Sequence, residues 1–314
     1  MRDRRGIRTR RGRRSMKGRH VLGGILVLVL FLVGACLCRK GDELPPVRDA
    51  VKFTAPRFAN PECERTYARA FVRPTFEIRV VFGYKDARPA RFVADRYERM
   101  LLVSRLLEKC GEGEGVCGFS RDARDGDLFT KEIAGPDGAP RAIRLRVVAA
   151  SVGADDEENR KDPMQARRSA YAERVFLDGL RDAEVVIYNG HSRAGGGPDF
   201  RPPRIRRDLE VDYGWYRAHT PGLDAILDRL GPRPKGEGER LRLLGFLSCA
   251  STKLFLGQIG KARPELATLS SPNLLYFSDA FEASLEILDS ILTMRCESRA
   301  GAARLIGWFE KAAR

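Results

Sequence analysis

The sequence predicts an α/β protein whose mostly parallel sheet is covered by helices on both faces, a three-layer α/β/α arrangement. Three observations predict it. Short apolar or alternating runs, at 76–82, 143–149, 185–188 and 243–247, alternate with stretches of helical apolar spacing at 91–109, 164–180, 221–230 and 281–292. Two of those runs, Val185-Val186-Ile187-Tyr188 and Leu243 to Leu247, carry no charge on either side, as expected of a parallel strand buried on both faces. The segment joining them contains a helix, and a crossover through a helix returns the chain parallel to itself.

The chain opens with an address. Its first twenty residues hold ten Lys/Arg and one Asp, a net +9, so only about +6 of the chain's +15 belongs to residues 21–314. The basic character is therefore mostly a leader effect, and nucleic acid is not an expected partner. An uncharged apolar run from Val21 to Leu32 leads to Val33-Gly34-Ala35-Cys36. A basic n-region, an apolar h-region and small residues before a cysteine resemble a bacterial lipoprotein signal, which implies Cys36 as the lipidated first mature residue. The other reading is an uncleaved single-helix anchor, because Val21 to Cys38 gives 18 uncharged residues. Both readings place the folded domain in the cell envelope, membrane-attached and facing the periplasm or exterior. Residues 1–38 form this leader, and 39–74, with five prolines and little periodicity, read as a tether or irregular lead-in.

Residues 75–314 then read as one α/β domain. Phe76, Ile78 and Val80 alternate with Glu77 and Arg79 and close at Gly83, the first strand. Val93, Tyr97, Met100, Leu101 and Ser104 come next at helical spacing. Cys110 and Cys117 enclose a glycine-rich loop and read as a disulfide in an exported domain, since the spacing is not CxxC and no His lies nearby to suggest a metal. Residues 118–141, with Asp-Gly and Pro-Asp-Gly steps, read as loop or surface hairpin. Ile143, Leu145 and Val147 mark the second strand; the acidic run Asp155 to Glu158 reads as a solvated turn or as a feature favouring a basic substrate group.

The strand at 185–188 ends in Asn189-Gly190-His191, and the strand at 243–247 ends in Ser248-Cys249. Imidazole can take the proton of a thiol, and the thiolate is the nucleophile. Ligands of open parallel sheets bind beyond the carboxyl ends of the strands, where both residues fall. After His191, three glycines at 195–197 read as a mobile substrate-binding loop, and Arg201, Arg204, Arg206 and Arg207 as a basic stretch. Asp199 reads either as a turn residue or as a third member orienting His191. His219 is an alternative base or a surface residue. Thr220-Pro221 and Gly231 bracket a helix, and Ser251-Thr252 can cap another, placing Cys249 near a helix amino terminus. Leu266 to Leu269 suggest a last strand; Phe281 to Leu292 and residues 299–312, with Trp308 and Phe309, suggest two further helices. Cys63 and Cys296 have no evident role beyond a possible pairing.

A His after one strand and a Cys after the next resembles the caspase-like cysteine peptidases, the group that holds caspases, legumains, gingipains and clostripain. The separation here is 249 − 191 = 58, against about 50 in caspases. Ser192 stands where the group usually has Gly, and Ser248-Cys249-Ala250-Ser251 is not the caspase pentapeptide. The resemblance covers residues 75–295 and implies His191 as general base, Cys249 as nucleophile and a peptide or protein substrate. The expected oxyanion donors are backbone N–H groups of Gly190, Ser192 and Cys249. Neither cofactor nor metal is expected, with only three His and no zinc-type Cys spacing. The alternative to a peptidase is a lipoprotein that keeps the scaffold for binding.

Overall fold

The computed structural model describes residues 61–85, 95–231 and 240–295. The leader with Cys36, residues 39–60, Cys296 and the helix expected at 299–312 lie outside the described residues. Among the described residues, no helix is long and apolar enough to cross a membrane.

The lead-in is not irregular throughout. Its end forms helix α1 (Pro61–Ala70), because Tyr67 and Phe71 lie four residues apart on one helical face. Both are buried, Phe71 stacks on Phe76 at 4.1 Å, and the Tyr67 hydroxyl lies within hydrogen-bond distance of the carbonyls of Arg295 (2.7 Å) and Ser290 (2.9 Å). Charged neighbours Glu64, Arg65 and Arg69 conceal that apolar pair in the sequence. Cys63, on the same helix, is disulfide-bonded.

Seven strands form one sheet in the order β2-β3-β4-β1-β5-β6-β7: β1 (Thr75–Phe82), β2 (Ser120–Arg121), β3 (Leu128–Ala134), β4 (Pro140–Ala149), β5 (Val185–Asn189), β6 (Leu243–Leu247) and β7 (Ala267–Ser270). The block β4-β1-β5-β6-β7 is parallel throughout. Residues 118–141 do more than turn: β3 pairs antiparallel with β4, and a tight turn closes at the 2.7 Å bond from Gly135 N to Ala139 O. Leu128, Phe129 and Ile133 carry β3 into the core, interrupted in sequence by Thr130-Lys131-Glu132.

Alternation along the strands sends successive side chains to opposite faces. Val80, Phe82 and Ile187 join one core cluster, under α1, α2 (Asp95–Leu107) and α8 (Phe277–Leu292). Val81, Val186 and Tyr188 join the other, under α4 (Gln165–Asp182), α6 (Pro221–Leu230) and α7 (Ser251–Ala262). The result is the three-layer α/β/α fold. Two short helices join these layers among the described residues. The acidic run is no loop: Asp155 caps α3 (Asp156–Lys161), accepting from the amides of Glu157 and Glu158. Asp212 caps α5 (Tyr213–His219), a helix that no apolar periodicity announces.

Cys110 and Cys117 form the expected disulfide, seven residues apart, between α2 and β2. Closing so short a loop restrains the unfolded chain by about 2–3 kcal/mol. The Cys110→Ser/Cys117→Ser variant is expected to lose about that much unfolding free energy, read from its urea midpoint.

Candidate functional site

The ladder between β5 and β6 ends with Asn189 opposite Leu247. His191 lies two residues past Asn189 and Cys249 two past Leu247, so the two occupy matching positions beyond adjacent parallel strands. Adjacent strands run about 4.8 Å apart. The 3.3 Å bond from Gly190 N to Leu247 O carries the pairing one residue further. One segment then touches both side chains. The Sγ of Cys249 lies 3.5 Å from both the amide and the carbonyl of Leu275, and the ring of Phe277 meets the His191 ring edge-on at 5.3 Å. Both residues are half-buried, and Cys249 is a free thiol.

His191 borders the topological switch point, which lies between β1 and β5, and Cys249 follows the next strand, β6. From β1 the chain adds β4 on one side and then β5 on the other, and that crevice is where open α/β sheets bind ligands. Its floor is polar and buried. Asn189 accepts from Lys85 Nζ at 3.0 Å and donates to Ser284 Oγ at 3.3 Å; Lys85 pairs with Glu98 and lies 4.5 Å from the centroid of the Phe277 ring. Burial holds the Lys85 ammonium below its ordinary value against the pull of Glu98, and pushes Glu98 up to about 7.

Tyr188 anchors the backbone of His191. Its hydroxyl donates to the His191 carbonyl at 2.9 Å and accepts from Asp199 N at 2.9 Å. Burial raises this phenol well above its ordinary range, so the donor stays protonated. The hydroxyl passes so close to Gly83 and Gly190 that a Cβ at either would sit within 2.5 Å of it. In the sequence Tyr188 shows only as an apolar strand residue, and nothing local marks it as a tether. Leu275 and Phe277 are equally hidden, since their role depends on the return of α8 to this edge.

Three of the expected assignments are corrected. The Asp199 carboxylate is engaged by other donors: it accepts from Arg193 Nε at 2.8 Å, from the Tyr216 hydroxyl at 3.2 Å and from Arg201 N at 3.2 Å. An arginine buried to 2% exposure needs a counter-charge, and Asp199 supplies it. Gly190 cannot serve as an oxyanion donor while its amide holds Leu247 O. Within the described residues the amides of Ser192 and Cys249 make no hydrogen bond, which leaves them as the available donors. The glycine run is no open loop, since Gly195, Gly196 and Gly197 are buried and a Cβ on Gly196 would strike Tyr216 at 2.6 Å.

Neither charged run sets an obvious preference. Asp156 and Glu157 pair with Arg160 and Lys161, while Arg201, Arg204 and Arg206 pair with Glu173, Asp212 and Asp208. His219 is exposed and engaged in its own helix, with Nδ1 2.8 Å from Trp215 O and the ring stacked on Trp215. Among the described residues, no cluster of His, Cys, Asp or Glu is arranged to hold a metal.

Backbone strain brackets the site. Arg193 and Ala194 take positive φ just after His191, and Ala250, immediately after Cys249, has φ 51°. Ala250, not Ser251 or Thr252, is the cap of α7; Ser251 Oγ instead donates to Phe246 O, and Thr252 bonds Ser270. A left-handed alanine costs roughly 1–2 kcal/mol, part of which the extra chain freedom of glycine would take back. Ala250→Gly is therefore expected to raise unfolding free energy by up to about 1 kcal/mol, measured by urea denaturation.

Comparison with models of known protein families, with curated proteins and with solved structures returned no match.

Proposed function

We propose that this protein is a cysteine-dependent peptidase of the caspase-like kind, exported and held at a membrane by its amino-terminal segment. The observation that carries the reading is the placement of His191 and Cys249 at matching positions past adjacent parallel strands, with Leu275 and Phe277 closing over both. In the proposed cycle His191 takes the Cys249 proton and the thiolate attacks a peptide carbonyl. The tetrahedral oxyanion is held by the amides of Ser192 and Cys249. Collapse breaks the C–N bond as His191 protonates the leaving amine, and water activated by the same imidazole hydrolyses the thioester, returning thiol and acid. The chain uses no cofactor in this scheme.

The amino end of α7 supports the thiolate, since its partial positive charge favours an anion placed beside its first turn. The reading is tested by the pH dependence of iodoacetamide labelling of the full chain, resolved to Cys249 by peptide mass spectrometry. Expected is fast labelling of Cys249 at neutral pH that is lost in His191→Ala. Labelling of Cys249 that tracks an ordinary thiol, or is indifferent to His191, would refute the dyad and favour a binding role for the scaffold.

A further inference from the structure

A second cleft opens at the same carboxyl edge of the sheet, over the end of β4 and therefore two strands, or about 10 Å, from the strand that carries His191. It encloses about 540 Å³, within the range of small-molecule sites. Helix α2 supplies Arg96 and Arg99 on one side, and α4 supplies Arg167, Arg168 and Tyr171 on the other. Among the described residues Asp127 is the one carboxylate in its lining, so these residues give the cleft 4 − 1 = 3 net positive charges.

Two of the four guanidinium groups are fixed in place. Arg99 donates through Nε to Val147 O at 3.0 Å and through Nη2 to Asp127; Arg168 donates through Nε to Ala149 O at 2.7 Å and pairs with the other Asp127 oxygen at 3.3 Å. Asp127 thus serves two arginines at once. Arg96 is held only by the carbonyl of Val152, and Arg167 makes no side-chain hydrogen bond or ion pair within the described residues. Burial, with Arg168 and Arg121 acting in the same direction, holds Arg99 below its ordinary value despite Asp127. Crowding like charges in a partly buried cleft is unfavourable until an anion joins them.

We propose that this cleft binds a phosphate-bearing ligand, its oxygens taken between Arg96 and Arg99 on one side and Arg167 and Arg168 on the other. Guanidinium forks approaching from two helices suit a tetrahedral dianion better than a single planar carboxylate, and each charge-assisted pair is short and strong. The site is independent of the His191–Cys249 dyad.

Titration calorimetry of the full chain with inorganic pyrophosphate, at fixed ionic strength, tests it. A sub-millimolar Kd is expected, weakened at least tenfold in Arg96→Gln/Arg167→Gln and more modestly in Arg167→Gln alone. The single variant breaks no bond seen within the described residues, so it remains informative if the double variant misfolds. Cosedimentation with phosphatidylglycerol vesicles separates the sources: arginine-dependent vesicle binding assigns a lipid headgroup, and pyrophosphate binding without it assigns a soluble phosphate. No heat up to 10 mM pyrophosphate, or an affinity unchanged in both variants, overturns the proposal.

Discussion

Cys249→Ala is expected to reduce kcat/KM toward any peptide the wild-type chain cleaves by roughly 10³-fold or more, because the variant loses covalent catalysis altogether. Folding should survive. Cys249 is only half-buried, and its Sγ makes weak 3.5 Å contacts with the Leu275 backbone in place of a structural bond. His191→Ala should cost a comparable factor, and the double variant little more than either single one, since members of one catalytic unit are strongly non-additive. The comparison separates chemistry from structure. Additive losses would show that the two residues do not act as one unit, and full turnover by Cys249→Ala would remove the thiol from the mechanism. The screen to find a substrate should span charge, given that the acidic helix and the arginines at 201–206 are matched by neighbours within the fold.

The legible part of this fold is the part where burial alone decides the residue. Val185 to Tyr188 and Leu243 to Leu247 are apolar on both faces because helices cover both, so strand identity and parallel pairing can be read directly. The positions of His191 and Cys249 follow from those two strands and a helical crossover, without any contact being known. The hidden part depends on partners distant in sequence. β3 is broken by polar residues because one of its faces is partly open, and α1 shows only two aromatic residues among charges. Asp199 is the instructive case. The sequence offers it as a turn residue or as a third member orienting His191, yet its carboxylate meets Arg193, whose burial is invisible in the sequence.

That pair yields the largest stability effect. Arg193 is almost completely buried, and its Nε–Oδ2 contact with Asp199 at 2.8 Å is joined by the hydroxyl of Tyr216. Removing Asp199 takes a charged partner away from a guanidinium that the fold buries, at a cost of about 3–5 kcal/mol. Asp199→Ala is therefore expected to lower Tm by roughly 10 °C, taking 2–4 °C per kcal/mol for a domain of this size. Asp199→Asn keeps a polar partner for Tyr216 but not the charge, and should fall between. The loss should also reach the site, because the backbone of Asp199 bonds the Tyr188 hydroxyl that holds the His191 carbonyl. A paired Arg193→Met/Asp199→Leu replacement removes both charges together, and recovery of most of the lost Tm in that variant would identify the lost counter-charge beside the buried guanidinium, rather than lost packing, as the source. If Asp199→Ala unfolds within 2 °C of the wild type, Arg193 finds sufficient compensation elsewhere, and the buried pair is not what holds the loop after His191 in place.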